Sequence, residues 1–572
     1  MGVLAPMTKA ADQPLIIQSD RSILLEVDHP RYEAARDALV RFAELEKSPE
    51  HIHTYRLTPL STWNACAAGL SARQIISSLK RFSRYEIPEN VVTEMKDWVF
   101  RYGRIDLVRE DERLILESDD RTLMAEIWRD RSVRKYLLTR LSDKRIEIDP
   151  RRRGHVKQAL FKIGFPAEDL AGYAEGEPLS MDLLEETRGG EPFALRDYQR
   201  EAAEVFFAGG TARGGSGVVV LPCGAGKTVV GMAAMALVKT HTLILVTSTV
   251  AVRQWRRELL DRTSLPPDEV GEYTGEVKEI KPVTVSTYQI LVHTKKKGEK
   301  PPHFEVFYRR EWGLIIYDEV HLLPAPVFRI TAEIQACRRL GLTATLVRED
   351  GREDDVFSLI GPKRYDVPWK VLEKQGWIAQ AECIEIRIPL PENVRTRYAI
   401  AGKRAKFRLA SENANKLEVL RRLINLHEGD SILIIGQYLD QLHRVAKETG
   451  APIITGRTAN SVREELYARF RKGEISCLIL SKVGNFAIDL PEANIAIQIS
   501  GTFGSRQEEA QRLGRILRPK ADGRKARFYS LVSRDSRDQE FAANRHLFLA
   551  EQGYSYRIAD ANDVLWSPSG VA

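Results

Sequence analysis

The chain has 572 residues, with 86 Lys and Arg against 79 Asp and Glu and a net charge of +7, a length that holds about three or four domains with their own cores. An apolar content of 43% excludes an extended disordered chain, and so mild a charge excess excludes a uniformly basic coat, so that any nucleic-acid groove must be local. No run of about 18 uncharged apolar residues and no basic segment leading into an apolar core is present, so the expectation is a cytoplasmic, nucleoid-associated protein without membrane contact.

In chain order, the N-terminal region reads as an α+β module. From His51 to Ile87 the signals are helical: Ser61 and Thr62 can cap one apolar-periodic run, Ser71 to Gln74 begins another, and Pro88 ends it. Arg113 to Ser118 and Arg145 to Ile148 alternate like short strands. An acidic, Gly/Pro-rich stretch from Gly172 to Pro192 then marks the clearest boundary in the chain. Cys66, Cys223, Cys337, Cys383 and Cys477 lie far apart without metal-ligand spacing, which predicts free thiols in a reducing compartment.

The apolar run Gly217 to Leu221 leads into Pro222, Cys223, Gly224, Ala225, Gly226, Lys227 and Thr228, and an apolar-periodic stretch follows from Val229 to Val238. Strand, tight turn and helix are the context of a phosphate-binding loop. Leu221 stands where the strict pattern has glycine, so the match is the shorter Gly-x-Gly-Lys-Thr core. Backbone N–H groups of Gly224, Ala225 and Gly226 would crowd around a polyphosphate at the positive helix end, with Lys227 on the β and γ phosphates of ATP and the Thr228 hydroxyl on magnesium. Cys223 inside this loop exposes nucleotide binding to alkylation, from which ATP should protect it.

Leu314 to Tyr317 reads as a buried strand that delivers Asp318 and Glu319 to its carboxyl end, where ligand sites of open α/β sheets lie. Asp318 would hold magnesium while Glu319 orients and deprotonates water. Near the end of the chain, the run from Gln511 to Arg518 spaces Arg515 and Arg518 three residues apart on a helix turn, so that both guanidinium groups can meet one γ-phosphate. Together these segments describe an ATP-driven nucleic-acid motor. Its strand-like runs alternate with helical stretches on both sides of a divide near Val371 to Trp377. That alternation predicts two parallel-sheet α/β lobes preceded by the α+β module.

The same boxes resemble those of superfamily 2 helicases, and in detail the XPB family, over most of the chain after about Pro192. Leu195, Arg196, Asp197, Tyr198 and Gln199 resemble the adenine-reading motif, with Gln199 as the base contact. Thr247, Ser248 and Thr249, together with Thr274 and Gly275, resemble strand-tracking motifs. Thr343, Ala344 and Thr345 resemble the triplet that couples hydrolysis to movement, and His321 and Gln511 fall at coupling positions too. Arg348, Glu349 and Asp350 resemble the element that acts where strands separate. Lys482 falls at a nucleic-acid backbone contact, and Asp489 falls near the ribose, with Ala487 where many relatives have glycine. The basic stretch Arg395 to Arg408 falls where the family has a thumb-like insertion that grips the duplex, and a plain basic loop is the alternative.

The resemblance implies residues 1–188 as an accessory module that engages damaged DNA or partner proteins, the alternative being a scaffold that braces the motor. It implies that the two parallel-sheet lobes are RecA-like, with 189–372 as the ATP-binding lobe and 373–572 as the second lobe. ATP and Mg2+ are the implied cofactors, and DNA, as duplex, fork or single strand, is the implied partner, tracked 3′ to 5′. A separate nuclease or a repair or transcription protein is a further implied partner. An RNA helicase, or an ATP-gated DNA clamp that recruits other proteins, remains open on the residues alone.

Overall fold

The computed structural model describes residues 13–49, 51–222, 224–293, 302–323, 325–335, 337–344, 353–367, 369–377, 379–481, 493–501, 526–551, 554 and 556–566. The chain opens with a four-stranded antiparallel sheet in the spatial order Leu15–Ile17, Ser22–Glu26, Ile52–Arg56, Glu44–Lys47. Ile52–Arg56, expected at the head of a helical region, is a strand because His53 and Tyr55 alternate into the core. The expected cap at Ser71 is observed: its side chain accepts from the Gln74 N–H, and Gln74 accepts from the Ser71 N–H, at the start of Ala72–Phe82. The preceding cap is Thr58, answered by Ser61, so Ser61 serves inside Pro59–Ala67 rather than ahead of it. Pro88 ends nothing; the helix stops at Ser83, and Pro88 opens Glu89–Arg101, where its fixed φ suits the entry.

A second, five-stranded sheet follows in the order Leu137–Arg140, Arg145–Ile148, Arg113–Glu117, Asp106–Glu110, Glu168–Asp169. Both strands expected from alternation are present, paired antiparallel with Leu116 opposite Ile146. Helix Arg153–Lys162 packs from this sheet onto the next unit. Arg153 forks onto the Asp169 carboxylate, with Nε at 3.1 Å and Nη2 at 2.6 Å, and Lys157 Nζ donates to Asp169 Oδ2 at 2.9 Å and to Gln335 Oε1 at 2.9 Å. Burial works against the Asp169 charge, but Lys157 and Arg153 outweigh it and hold the carboxyl below its ordinary range. Burial, offset only in part by Asp169, pulls Lys157 down to about 8. Two cations share one carboxylate, so the anion gains more than either cation does.

The boundary stretch after Gly172 is not a free linker. Leu179 and Met181 are buried, and Leu179, Leu184 and Arg188 donate backbone hydrogen bonds to Lys239, Arg262 and Asp261. Beyond it stand two seven-stranded, wholly parallel sheets. The first runs Val270–Tyr273, Val283–Thr287, Thr242–Val246, Leu314–Asp318, Arg338–Thr343, Ser216–Val220, Lys363–Asp366. The second runs Ile453–Ile454, Cys477–Leu480, Ile432–Ile435, Ile495–Gln498, Ala526–Ser533, Ala381–Ile388, Tyr556–Asp560. Their central strands are buried throughout, which is why they read as continuous apolar runs rather than alternating ones. The basic stretch expected as an insertion or a loop forms two helices, Glu392–Ile400 and Lys403–Ser411, with Ile400 84% exposed at the end of the first. Leu547 and Ala550, from the helix Arg537–Glu551, complete the core of the first small sheet.

Asp169→Asn should cost about 3–5 kcal/mol in denaturant unfolding, because Arg153 and Lys157 stay buried without their anion. The Asp169 pKa is depressed, so its contribution is full above the ordinary carboxylate range of about 4 and is withdrawn as pH falls below it. The difference between wild type and variant should therefore shrink in acid; a difference that grows in acid would reverse the assignment.

Candidate nucleotide-binding site

Parallel pairing fixes where the sequence boxes meet. Val220 pairs with Thr343, and Asp318 pairs with Leu342, so the strands before the phosphate loop, the acidic box and the threonine triplet are neighbours ending at one edge. Thr247 and Thr274 follow the strands Thr242–Val246 and Val270–Tyr273 of the same sheet.

The phosphate loop turns through Gly224 (φ 83°) and Gly226 (φ 81°) into helix Lys227–Val238. Gly226 is required twice over: its φ is left-handed, and a Cβ there would lie 2.5 Å from Gln199 Nε2. The loop is held from below by the helix Asp197–Phe207. The Tyr198 hydroxyl donates to the Ala225 carbonyl at 2.7 Å and Gln199 Nε2 donates to the same oxygen at 2.9 Å. Gln199 Oε1 accepts from the Arg196 N–H at 3.1 Å. One end of the buried Gln199 amide thus braces the loop while the other caps the start of its own helix. Thr228 stands in the first turn of the helix.

At the end of Leu314–Asp318 the chain turns sharply, with Glu319 in the left-handed region at φ 51°. A non-glycine residue held there costs about 1–2 kcal/mol. The turn is pinned by the Glu319 N–H donating to Asp318 Oδ1 at 3.0 Å and by the Tyr288 hydroxyl donating to the Asp318 carbonyl at 2.9 Å. The other carboxylate oxygen, Oδ2, accepts from the Trp255 indole N–H at 2.8 Å. Burial, and next the Glu319 carboxylate, push the Asp318 pKa up. Burial pushes on Glu319 as well, but Lys227 and His321 outweigh it and hold that carboxyl below its ordinary value. Lys227 Nζ lies 3.4 Å from Glu319 Oε1. His321 Nδ1 lies 3.4 Å from Glu319 Oε2 and 2.7 Å from the Thr343 hydroxyl. One chain of polar contacts, half-buried at Lys227 and Glu319 and buried at His321 and Thr343, therefore runs from the phosphate loop through the acidic box to the neighbouring strand.

Not every expected residue faces this edge with its side chain free. The Thr274 hydroxyl accepts from the N–H groups of Glu276 and Val277, at 3.2 Å each, and is buried in its own turn, leaving Gly275 exposed beside it. The Thr247 carbonyl accepts from Gln289 Nε2 at 2.6 Å, and Ser248 caps the helix Thr249–Arg262. Cys223, Thr345, Arg348, Glu349, Asp350, Lys482, Asp489, Gln511, Arg515 and Arg518 lie outside the described residues. Trp255 and Tyr288 escaped sequence reasoning. The only available signal was a lone indole inside the basic run Arg253 to Arg257.

A family model described as ERCC3/RAD25/XPB C-terminal helicase matches residues 372–567, one for the type III restriction enzyme res subunit matches 192–348, and one for a helicase conserved C-terminal domain matches 15–142. A protein of Kineococcus radiotolerans named DNA 3′-5′ helicase XPB is 57% identical over 554 residues, covering 97% of each chain. The chain belongs to the XPB helicase family. A second XPB relative with the same name, from Mycobacterium tuberculosis, is 56% identical over 97% of this chain and 99% of its own. The XPB/SSL2 subunit of general transcription and DNA repair factor IIH of Saccharomyces cerevisiae is 33% identical over 96% of this chain and 72% of its own. The match at residues 15–142 covers the first small sheet and three strands of the second, ahead of the parallel ones.

Gly226→Ala should weaken nucleotide binding about tenfold or more, since the left-handed turn and the Gln199 contact are both violated, a combined cost of about 1–3 kcal/mol. Titration with a fluorescent ATP analogue measures it; unchanged affinity would show that the loop tolerates a different path.

Proposed function

We propose that this chain is an ATP-driven DNA helicase and translocase, moving 3′ to 5′ on one strand and opening DNA in repair or transcription. The reading is carried by the convergence of Lys227, Glu319, His321 and Thr343 at one sheet edge. It is supported by a relative that bears this activity in its name and is 57% identical over nearly the whole chain.

Backbone N–H groups of the loop and the helix N-terminus receive the phosphates of ATP, and Lys227 turns from Glu319 to the γ-phosphate. Thr228 and Asp318 offer the all-oxygen donor set that suits magnesium, and a buried carboxylate whose charge is disfavoured gains most from a neighbouring dication. Bound magnesium supplies charge neutralisation and Lewis acidity at the phosphoryl oxygens. Glu319, kept ionised by Lys227 and His321, accepts a proton from the attacking water. The water oxygen bonds to the γ-phosphorus while the bond to the β,γ-bridging oxygen breaks, releasing ADP and phosphate.

Arg515 and Arg518 meet the charge that develops on the transferred group, and Asp489 takes the ribose. Gln199 couples adenine occupancy to the loop it braces. His321, Thr343, Thr345 and Gln511 relay the state of the γ-phosphate. Thr247, Gly275 and Lys482 track the DNA backbone, with Thr274 shaping the turn that presents Gly275. Arg348, Glu349 and Asp350 act where the strands part. Backbone contacts carry no base code, so binding is independent of sequence and strongly salt-dependent. A separate nuclease or a repair or transcription protein is the partner class.

ATP turnover measured with no nucleic acid, single-stranded DNA, forked DNA and RNA, against Lys227→Ala as the blank, should be stimulated most by forked DNA. Equal or greater stimulation by RNA moves the substrate to RNA, and DNA stimulation that never displaces a strand makes the protein an ATP-gated clamp. Glu319→Gln should lower turnover about 10²- to 10⁴-fold with nucleotide binding retained; near-normal turnover removes Glu319 from its role as base.

A further inference from the structure

Trp255 lies on helix Thr249–Arg262, remote in sequence from the acidic box, and is only 1% exposed. Its ring reaches the site because Gly231 makes room: a Cβ at Gly231 would stand 2.6 Å from Trp255 Cη2. The indole N–H then donates to Asp318 Oδ2 at 2.8 Å, while Oδ1 accepts from the Glu319 N–H at 3.0 Å. Each oxygen has one lone pair committed to a fixed donor, so the plane of the carboxylate is set, and a lone pair on each oxygen remains for another ligand. A free carboxylate at a strand end would rotate about its terminal torsion, which has a broad profile.

We infer that Trp255 is a positioning residue for nucleotide hydrolysis, its indole N–H holding the Asp318 carboxylate in the orientation that a divalent cation beside ATP requires. The inference rests on the reading of Asp318 as the carboxylate that serves the cation. Packing alone would need the ring but not the nitrogen, and any large apolar side chain at 255 would satisfy it. Holding Asp318 needs the N–H itself, as outer partners of metal-binding carboxylates generally do.

The test is equilibrium binding of a fluorescent, non-hydrolysable ATP analogue across a magnesium titration, with the same analogue in EDTA and a thermal melt of each variant. Trp255→Phe keeps most of the ring and loses the donor. It should raise the magnesium concentration at the binding midpoint about 10- to 100-fold, with affinity in EDTA unchanged. Val252→Ala, a packing loss on the same helix, should lower the melting temperature and leave the midpoint where it is. A Trp255→Phe midpoint equal to wild type, while Asp318→Asn shifts it, overturns the inference alone; a midpoint unmoved by Asp318→Asn overturns the reading of Asp318 beneath it. Should Trp255→Phe fail to fold, Gly231→Ala displaces the same ring from its other side, and an unchanged midpoint there overturns the inference.

Discussion

A parallel sheet brings the carboxyl ends of its strands to one edge, and the chemistry proposed here depends on three neighbouring strands keeping that register. If Ser216–Val220 slipped by one residue against Arg338–Thr343, the side chains of either strand would exchange faces. The phosphate loop would then leave the acidic box. Close packing at Gly217 prevents the slip, since a Cβ in its place would lie 2.8 Å from the Pro362 carbonyl oxygen, so neither Ser216 nor Val218 can take that position. The Lys227 to Glu319 contact is the outcome of that register. It keeps the cation and the carboxylate in a low-dielectric pocket where each stabilises the other.

The boxes were legible in the sequence because each is a short continuous run following an apolar strand, and a parallel sheet converts that pattern directly into position. The strands Ser216–Val220 and Leu314–Asp318 could be placed for the same reason. What could not be read are contacts that join distant segments. The Trp255 bond to Asp318 spans 63 residues and the Lys157 bond to Gln335 spans 178, and neither leaves a local signature. The Thr274 hydroxyl closes its own turn, a local use of threonine that the motif pattern does not announce. Ile52–Arg56 was missed because a five-residue alternation was overruled by the longer helical pattern after it.

The N-terminal module is tied to the rest of the molecule by more than chain connectivity. Helix Arg153–Lys162 reaches Gln335 with Lys157 and Asp355 with Gln158, two residues that flank the strand Arg338–Thr343 in the chain. Asn64 Oδ1 accepts from the Lys363 N–H, and Leu547 with Ala550 enters the core of the first small sheet. These contacts seat the N-terminal module against the first parallel sheet and the helix Arg537–Glu551.

The most direct test is a crystal structure with a non-hydrolysable ATP analogue and magnesium. In it Lys227 Nζ should have moved from Glu319 to the γ-phosphate, Glu319 should face a water in line with that phosphate, and the Trp255 to Asp318 hydrogen bond should be unbroken. Nucleotide bound with Lys227 still on Glu319, or seated away from the ends of these three strands, would contradict it.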